Sequence, residues 1–124
     1  MSLKTKNWIL VFIWASFIFF LSHQPFLESG LPNQWDFILR KIAHITEYAI
    51  LTWLLIRALR GYQLTPSQIL LLAISLSFLY AMSDEYHQTF ILGRQGVPRD
   101  VFIDSFGIFL GAWLSKMKVK VRVV

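Results

Sequence analysis

A chain of 124 residues that is 56% hydrophobic and 16% aromatic, with a mean hydropathy of +0.54, is too apolar for an ordinary soluble core of its length. It contains no cysteine, which excludes a disulfide framework, thiolate metal ligands and a thiol nucleophile. The formal charge of +5 takes its meaning from where the charges lie, and their placement points to a membrane and away from nucleic acid.

Four apolar runs predict helices at about 7–22, 37–59, 67–83 and 100–116, within a single domain covering 1–124. Each is near the short end of the roughly 17–25 residues that a membrane-crossing helix needs. Lys4 and Lys6 precede the first run, as in a signal peptide, but Ser22-His23-Gln24-Pro25 offers no small-x-small cleavage site, so the run reads as a signal anchor. Pro25, Gly30, Pro32 and Asn33 break the chain before the second run. Gly61 ends the second run, and Thr65-Pro66 caps the third, with proline suited to the first helical turn. Gly93, Gly96 and Pro98 mark the last link, and no internal repeat or long linker divides the chain. The five tryptophans, Trp8, Trp14, Trp35, Trp53 and Trp113, are expected mainly as interface anchors and lipid-facing bulk.

Orientation follows from the basic residues. With both termini inside, the inner side holds Lys4, Lys6, Arg57, Arg60, Lys116, Lys118, Lys120 and Arg122, against Arg40, Lys41, Arg94 and Arg99 outside. All seven acids, Glu28, Asp36, Glu47, Asp84, Glu85, Asp100 and Asp104, then fall on the outer side or in the outer halves of helices. The expected fold is therefore all-α, an integral membrane bundle of four transmembrane helices with both termini inside. The chemistry gathers at its outer end.

Some of these charges are deep. Glu47 lies about 9 Å inward of Lys41 at the usual helical rise. An ionised group in a membrane-spanning helix faces a penalty of about 2.5–3.5 kcal/mol at the bilayer centre and less near the interface. Such groups need partners, and the spacing supplies them. Lys41, His44, Glu47 and Tyr48 fall on one side of the second helix; Asp84, His87 and Gln88 repeat an i, i+3, i+4 pattern at the end of the third, with Glu85 turned aside. In the fourth, Asp100, Asp104, Gly107 and Gly111 share a face, and the small residues allow another helix to approach closely. The three stripes predict a polar pocket that opens outward beneath the Arg94–Arg99 loop.

Ser22-x-Gln24-Pro25, Lys41-x-x-His44-x-x-Glu47-Tyr48, Asp84-Glu85-x-x-Gln88, Arg94-x-Gly96 and Asp100-x-x-x-Asp104-x-x-Gly107 occur in that order along nearly the whole chain. In this the sequence resembles the VanZ-like family, small bacterial membrane proteins named for a teicoplanin-resistance protein. The resemblance implies a multi-pass protein of the bacterial cytoplasmic membrane with a role at the cell envelope, including lowered susceptibility to lipoglycopeptides such as teicoplanin.

Two classes of function fit the residues. In the first, the pocket binds or modifies a cell-envelope component, a lipid head group or lipid-linked precursor. Glu47, His44 and Asp84 are the candidate catalytic residues, with Glu47 as general acid or base and His44 as proton relay. Lys41, Tyr48, Glu85, Gln88, Arg94, Arg99, Asp100 and Asp104 are the candidate substrate contacts, the arginines suiting the phosphate of an anionic or zwitterionic lipid. Thr46, Ser83 and Ser105 stand beside the stripes without a triad order, so no nucleophile is assigned. A metal site built from His44, Glu47, Asp84, His87, Asp100 and Asp104 is disfavoured by Lys41 and the arginines, which already neutralise carboxylates. No cofactor follows from the residues. In the second class the chain is a non-catalytic structural or regulatory membrane subunit. Its charges fix helix packing, and Gly107 with Gly111 meets a partner helix.

Overall fold

An apolar segment in a bilayer must satisfy its own backbone polar groups, which favours helix over any open structure. The computed structural model describes residues 2–23, 33–90 and 98–123; at 22, 23, 33, 34, 36, 37, 88, 98–100 and 117–123 only the helical backbone is described. It contains α1 (Leu3–His23), α2 (Asn33–Leu59), α3 (Pro66–Gln88) and α4 (Pro98–Val123), and no strand among the described residues. The links predicted at Pro25, Gly30 and Pro32 and at Gly93 and Gly96 lie outside the described residues.

Every helix begins earlier or ends later than its apolar run, because backbone hydrogen bonding continues after hydrophobicity stops. α1 starts at Leu3, taking in Lys4 and Lys6, and α4 continues through the basic tail to Val123. The start of α3 follows the expected signal: Thr65 Oγ1 accepts from the Gln68 amide at 3.2 Å, and Gln68 Oε1 accepts from the Thr65 amide at 3.0 Å, with Pro66 in the first turn.

Three segments are long and apolar enough to cross a membrane: Leu3–Leu21, Ile38–Leu59 and Pro66–His87. α4 carries Asp104 near its start and Lys116 near its end, and is not among these three segments.

The side-chain contacts give the direction of each helix. Trp14 pairs with Glu47 and Trp8 with Tyr62, so α1 and α2 are antiparallel. Tyr48 pairs with Asp84 and Thr52 with Ser77, so α3 reverses again. Gly107 meets Ile45 and Gly111 meets Ala49, so α4 runs parallel to α2. The chain is an up-down-up-down bundle.

α2 is its centre. It packs against the other three helices, most extensively against α4, whereas α1 and α4 do not touch among the described residues. Half of the apolar window of α2 is buried, against 17% for α1 and 22% for α3. Ile18, Tyr48, Ile56 and Ile108 form the fully buried interior, while Phe12, Leu71, Leu79, Phe102 and Phe106 point outward. That outward apolar surface is what lipid, not water, would cover.

The α2–α4 contact depends on two glycines. A Cβ at Gly107 would sit 2.2 Å from the Ile45 carbonyl oxygen, and one at Gly111 would sit 2.3 Å from that of Ala49. The close approach anticipated from the small-residue spacing therefore occurs within the chain. This corrects the expectation of a partner helix at Gly107 and Gly111: α2 already occupies that surface.

Candidate functional site

The N-terminal half of α2, the C-terminal half of α3 and the N-terminal half of α4 meet at one end of the bundle, where the up-down-up-down order brings them together. Glu47 and Tyr48 from α2, Asp84 and Glu85 from α3, and Asp104 from α4 are all buried there. Four carboxyl groups are thus buried at one end of a bundle whose core is otherwise largely apolar. Burial of that kind is unfavourable without mutual hydrogen bonding.

Two contacts tie the helices together at this end. Nδ1 of His44 lies 3.1 Å from Oδ1 of Asp104, where an imidazole N–H donates to the carboxylate. The Tyr48 hydroxyl donates to Oδ2 of Asp84 at 3.0 Å. The His44 side chain is 16% exposed and that of Asp104 only 1%, so the histidine is the member of the pair that reaches the surface.

The stripe on α2 is graded as its sequence spacing implies. Lys41 and His44 are half-buried, Glu47 is buried, and Tyr48 has no exposed surface at all. On α3, Glu85, one position on from Asp84 and off its stripe, is buried as well. α3 packs against α1, α2 and α4 together, so the covered arc is wide enough to include two successive residues. His87 instead leans toward α1, where its ring stacks on Phe19 with 4.5 Å between centroids. Asp104, Gly107 and Gly111 do share the buried face of α4.

Several candidate contacts fall elsewhere. Arg94 lies outside the described residues, as do the side chains of Gln88, Arg99 and Asp100, whose backbones are helical. Thr46 and Ser105 donate their hydroxyls to backbone carbonyls of their own helices, at Ile42 and Phe102, and Ser83 is exposed. None of these hydroxyls is held by His44. Among the described residues no group of three His, Asp or Glu side chains is arranged to hold a metal ion.

Other polar contacts were not singled out from the sequence. Thr52 donates to Ser77 at 2.9 Å, both fully buried, one turn below Tyr48. The signal was present, since Thr52 follows Tyr48 at i+4 and extends the same stripe. Trp14 is half-buried and donates from Nε1 to the Glu47 carbonyl at 2.9 Å, which departs from its expected role as an interface anchor. Tyr80 donates to the Ala15 carbonyl, and its ring lies 6.3 Å from that of Tyr48. α1 is thereby fastened to the helices that carry the site.

Comparison with curated proteins and with solved structures returns no match. Comparison with family models returns VanZ/LLP1 over residues 7–119, a match that takes in most of each of the four helices and the whole polar cluster, and the chain therefore belongs to the VanZ/LLP1 family.

Proposed function

We propose that this chain crosses the bacterial cytoplasmic membrane four times with both termini inside, and that its acidic end faces outward to bind or modify a lipid head group or lipid-linked envelope precursor. The observation that carries the reading is the convergence of Glu47, Asp84, Glu85 and Asp104 from three helices into one buried region of an otherwise apolar bundle. Intramembrane ionisable residues are disfavoured unless they serve a pathway, a ligand or a paired contact. A fourth span is supported by the length of the α2–α4 contact: a helix laid against a spanning helix through two glycines crosses with it. The outward orientation rests on the eight basic residues at the opposite end.

In this reading Glu47 is the group for proton transfer, and His44 links the interior to the surface through Asp104. Lys41, Tyr48 and Glu85 stand on the ligand's side, and Gln88, Arg94, Arg99 and Asp100 are the further contacts expected from the sequence. Lowered lipoglycopeptide susceptibility would follow from altered display of an envelope lipid.

A second reading has its own observation. His44 with Asp104 and Tyr48 with Asp84 join helices directly, as expected of a non-catalytic subunit whose charges fix packing. Surface binding of fluorescent teicoplanin to cells expressing the wild type or Glu47→Gln, at matched membrane levels, separates the two. The envelope reading expects the wild type to lower binding and the variant to lose that effect; equal behaviour favours the packing reading.

A further inference from the structure

The opposite end of the bundle holds a different kind of site. A cavity of about 590 Å³ lies between α1 and the end of α2, lined by Lys4, Asn7, Trp53, Arg57, Arg60 and Gly61. Its size falls within the roughly 300–1,000 Å³ typical of small-ligand sites. Three of these side chains are cationic. None of the seven acids lies in α1, in α2 beyond Glu47, in the turn to α3 or in the first half of α3, so no Asp or Glu side chain stands on this side beside Lys4 and Arg57.

The cations are held in place rather than scattered. Lys4 Nζ stands 4.3 Å from the centre of the Tyr62 ring, and the Arg57 guanidinium 5.8 Å from that of Trp53. Arg60 donates from Nη2 to Ser115 Oγ at 3.0 Å, which ties the cavity wall to α4. Trp8 donates to the Tyr62 hydroxyl at 2.9 Å, which fixes the ring that Lys4 faces. Deeper in the wall, Asn7 is 6% exposed, and its Oδ1 accepts no hydrogen bond from any described group. A buried acceptor of this kind is unfavourable unless something donates to it.

We infer that this cavity binds the head group of an anionic phospholipid of the phosphatidylglycerol class, with Lys4 and Arg57 on the phosphate and Asn7 accepting from a head-group hydroxyl. Phosphate matches the cationic rim, since Lys and Arg give charge-assisted hydrogen bonds to its oxygens. A hydroxyl matches the buried acceptor, which a bare phosphate oxygen does not. The site's position at the basic end of an apolar helix pair suits a lipid, whose acyl chains can lie along the exposed apolar flank of α1, for example at Ile9 and Phe12. The inference is independent of what the acidic end does.

The test is native mass spectrometry of the intact chain in detergent, mixed with equal amounts of dioleoyl phosphatidylglycerol and dioleoyl phosphatidylcholine. The wild type should retain phosphatidylglycerol preferentially, and Lys4→Gln with Arg57→Gln should remove the preference, by about fivefold for each basic residue lost. Both side chains are exposed, so the double variant keeps the packing of the bundle. Asn7→Leu keeps both cations and should narrow the margin of phosphatidylglycerol over phosphatidylethanol, an anionic lipid without a head-group hydroxyl. Equal retention by the wild type and the double variant would overturn the proposal. Retention of inorganic phosphate by the wild type with no preference for phosphatidylglycerol over phosphatidylcholine would also overturn it by assigning the cavity to free phosphate.

Discussion

His44 and Asp104 meet at 3.1 Å across the α2–α4 crossing, about one turn from the point where Gly107 admits the Ile45 backbone. The close approach and the polar contact depend on each other: the glycines bring the backbones together, and the short separation lets an imidazole reach a carboxylate on the next helix. Within a membrane such polar contacts average about 0.6 kcal/mol and reach about 1.7. A double-mutant cycle over His44→Ala and Asp104→Asn, read by unfolding in detergent, should give a coupling energy in that range. Additive effects would mean that the two side chains do not interact.

Gly107 and Gly111 should be the least tolerant positions in α4. An added methyl group collides with backbone at each, which cannot rotate away as a side chain can. Gly107→Ala and Gly111→Ala should each destabilise the bundle by about 1–3 kcal/mol or more. Thermal unfolding monitored by circular dichroism measures this. Phe106→Ala, on the exposed face of the same helix, is the control and should change little.

Tyr48→Phe and Thr52→Val probe two rungs of one ladder. Each removes a hydroxyl and leaves the volume of the core nearly unchanged; Tyr48 loses its bond to Asp84, and Thr52 its bond to Ser77. Each takes a donor away from a buried acceptor and should cost about 1–3 kcal/mol in stability, with Tyr48→Phe the more costly because its acceptor is a carboxyl group. If the acidic end is functional, Tyr48→Phe should also reduce envelope activity beyond its effect on stability, and Thr52→Val should not.

The absence of cysteine makes topology directly measurable. Phe90, just past the end of α3, and Gln63, in the turn before it, are both exposed and lie at opposite ends of the bundle. With a membrane-impermeant maleimide, Phe90→Cys should label in intact cells and Gln63→Cys only after permeabilisation. The reverse pattern would invert the proposed orientation.

Much of the architecture was legible because the helices are separated by strong local signals. Thr65-Pro66 supplied both a capping oxygen and a residue suited to the first turn, and α3 begins there. The Lys41, His44, Glu47, Tyr48 stripe was readable from helical spacing alone, since one face of one helix is a local property. What the spacing could not give was the neighbour of each face. Gly107 and Gly111 advertised a close approach without saying whether the second helix came from this chain or another. The burial of Glu85 was not legible for the same reason, because the width of the buried arc on α3 depends on how many helices surround it. Trp14 looked like lipid-facing bulk because nothing in its local sequence shows that the Glu47 carbonyl lies within reach.

The measurement closest to the central claim compares Glu47→Gln with a variant that weakens the core but leaves the acids intact, such as Thr52→Val. Both are expressed at matched membrane levels, unfolding is measured for each, and surface binding of fluorescent teicoplanin is the readout. The account predicts that Glu47→Gln abolishes the wild-type effect while Thr52→Val keeps it, even if Thr52→Val is the less stable of the two. If the effect follows stability alone across the variants, the buried carboxylate is architectural, and the proposal for the acidic end is contradicted.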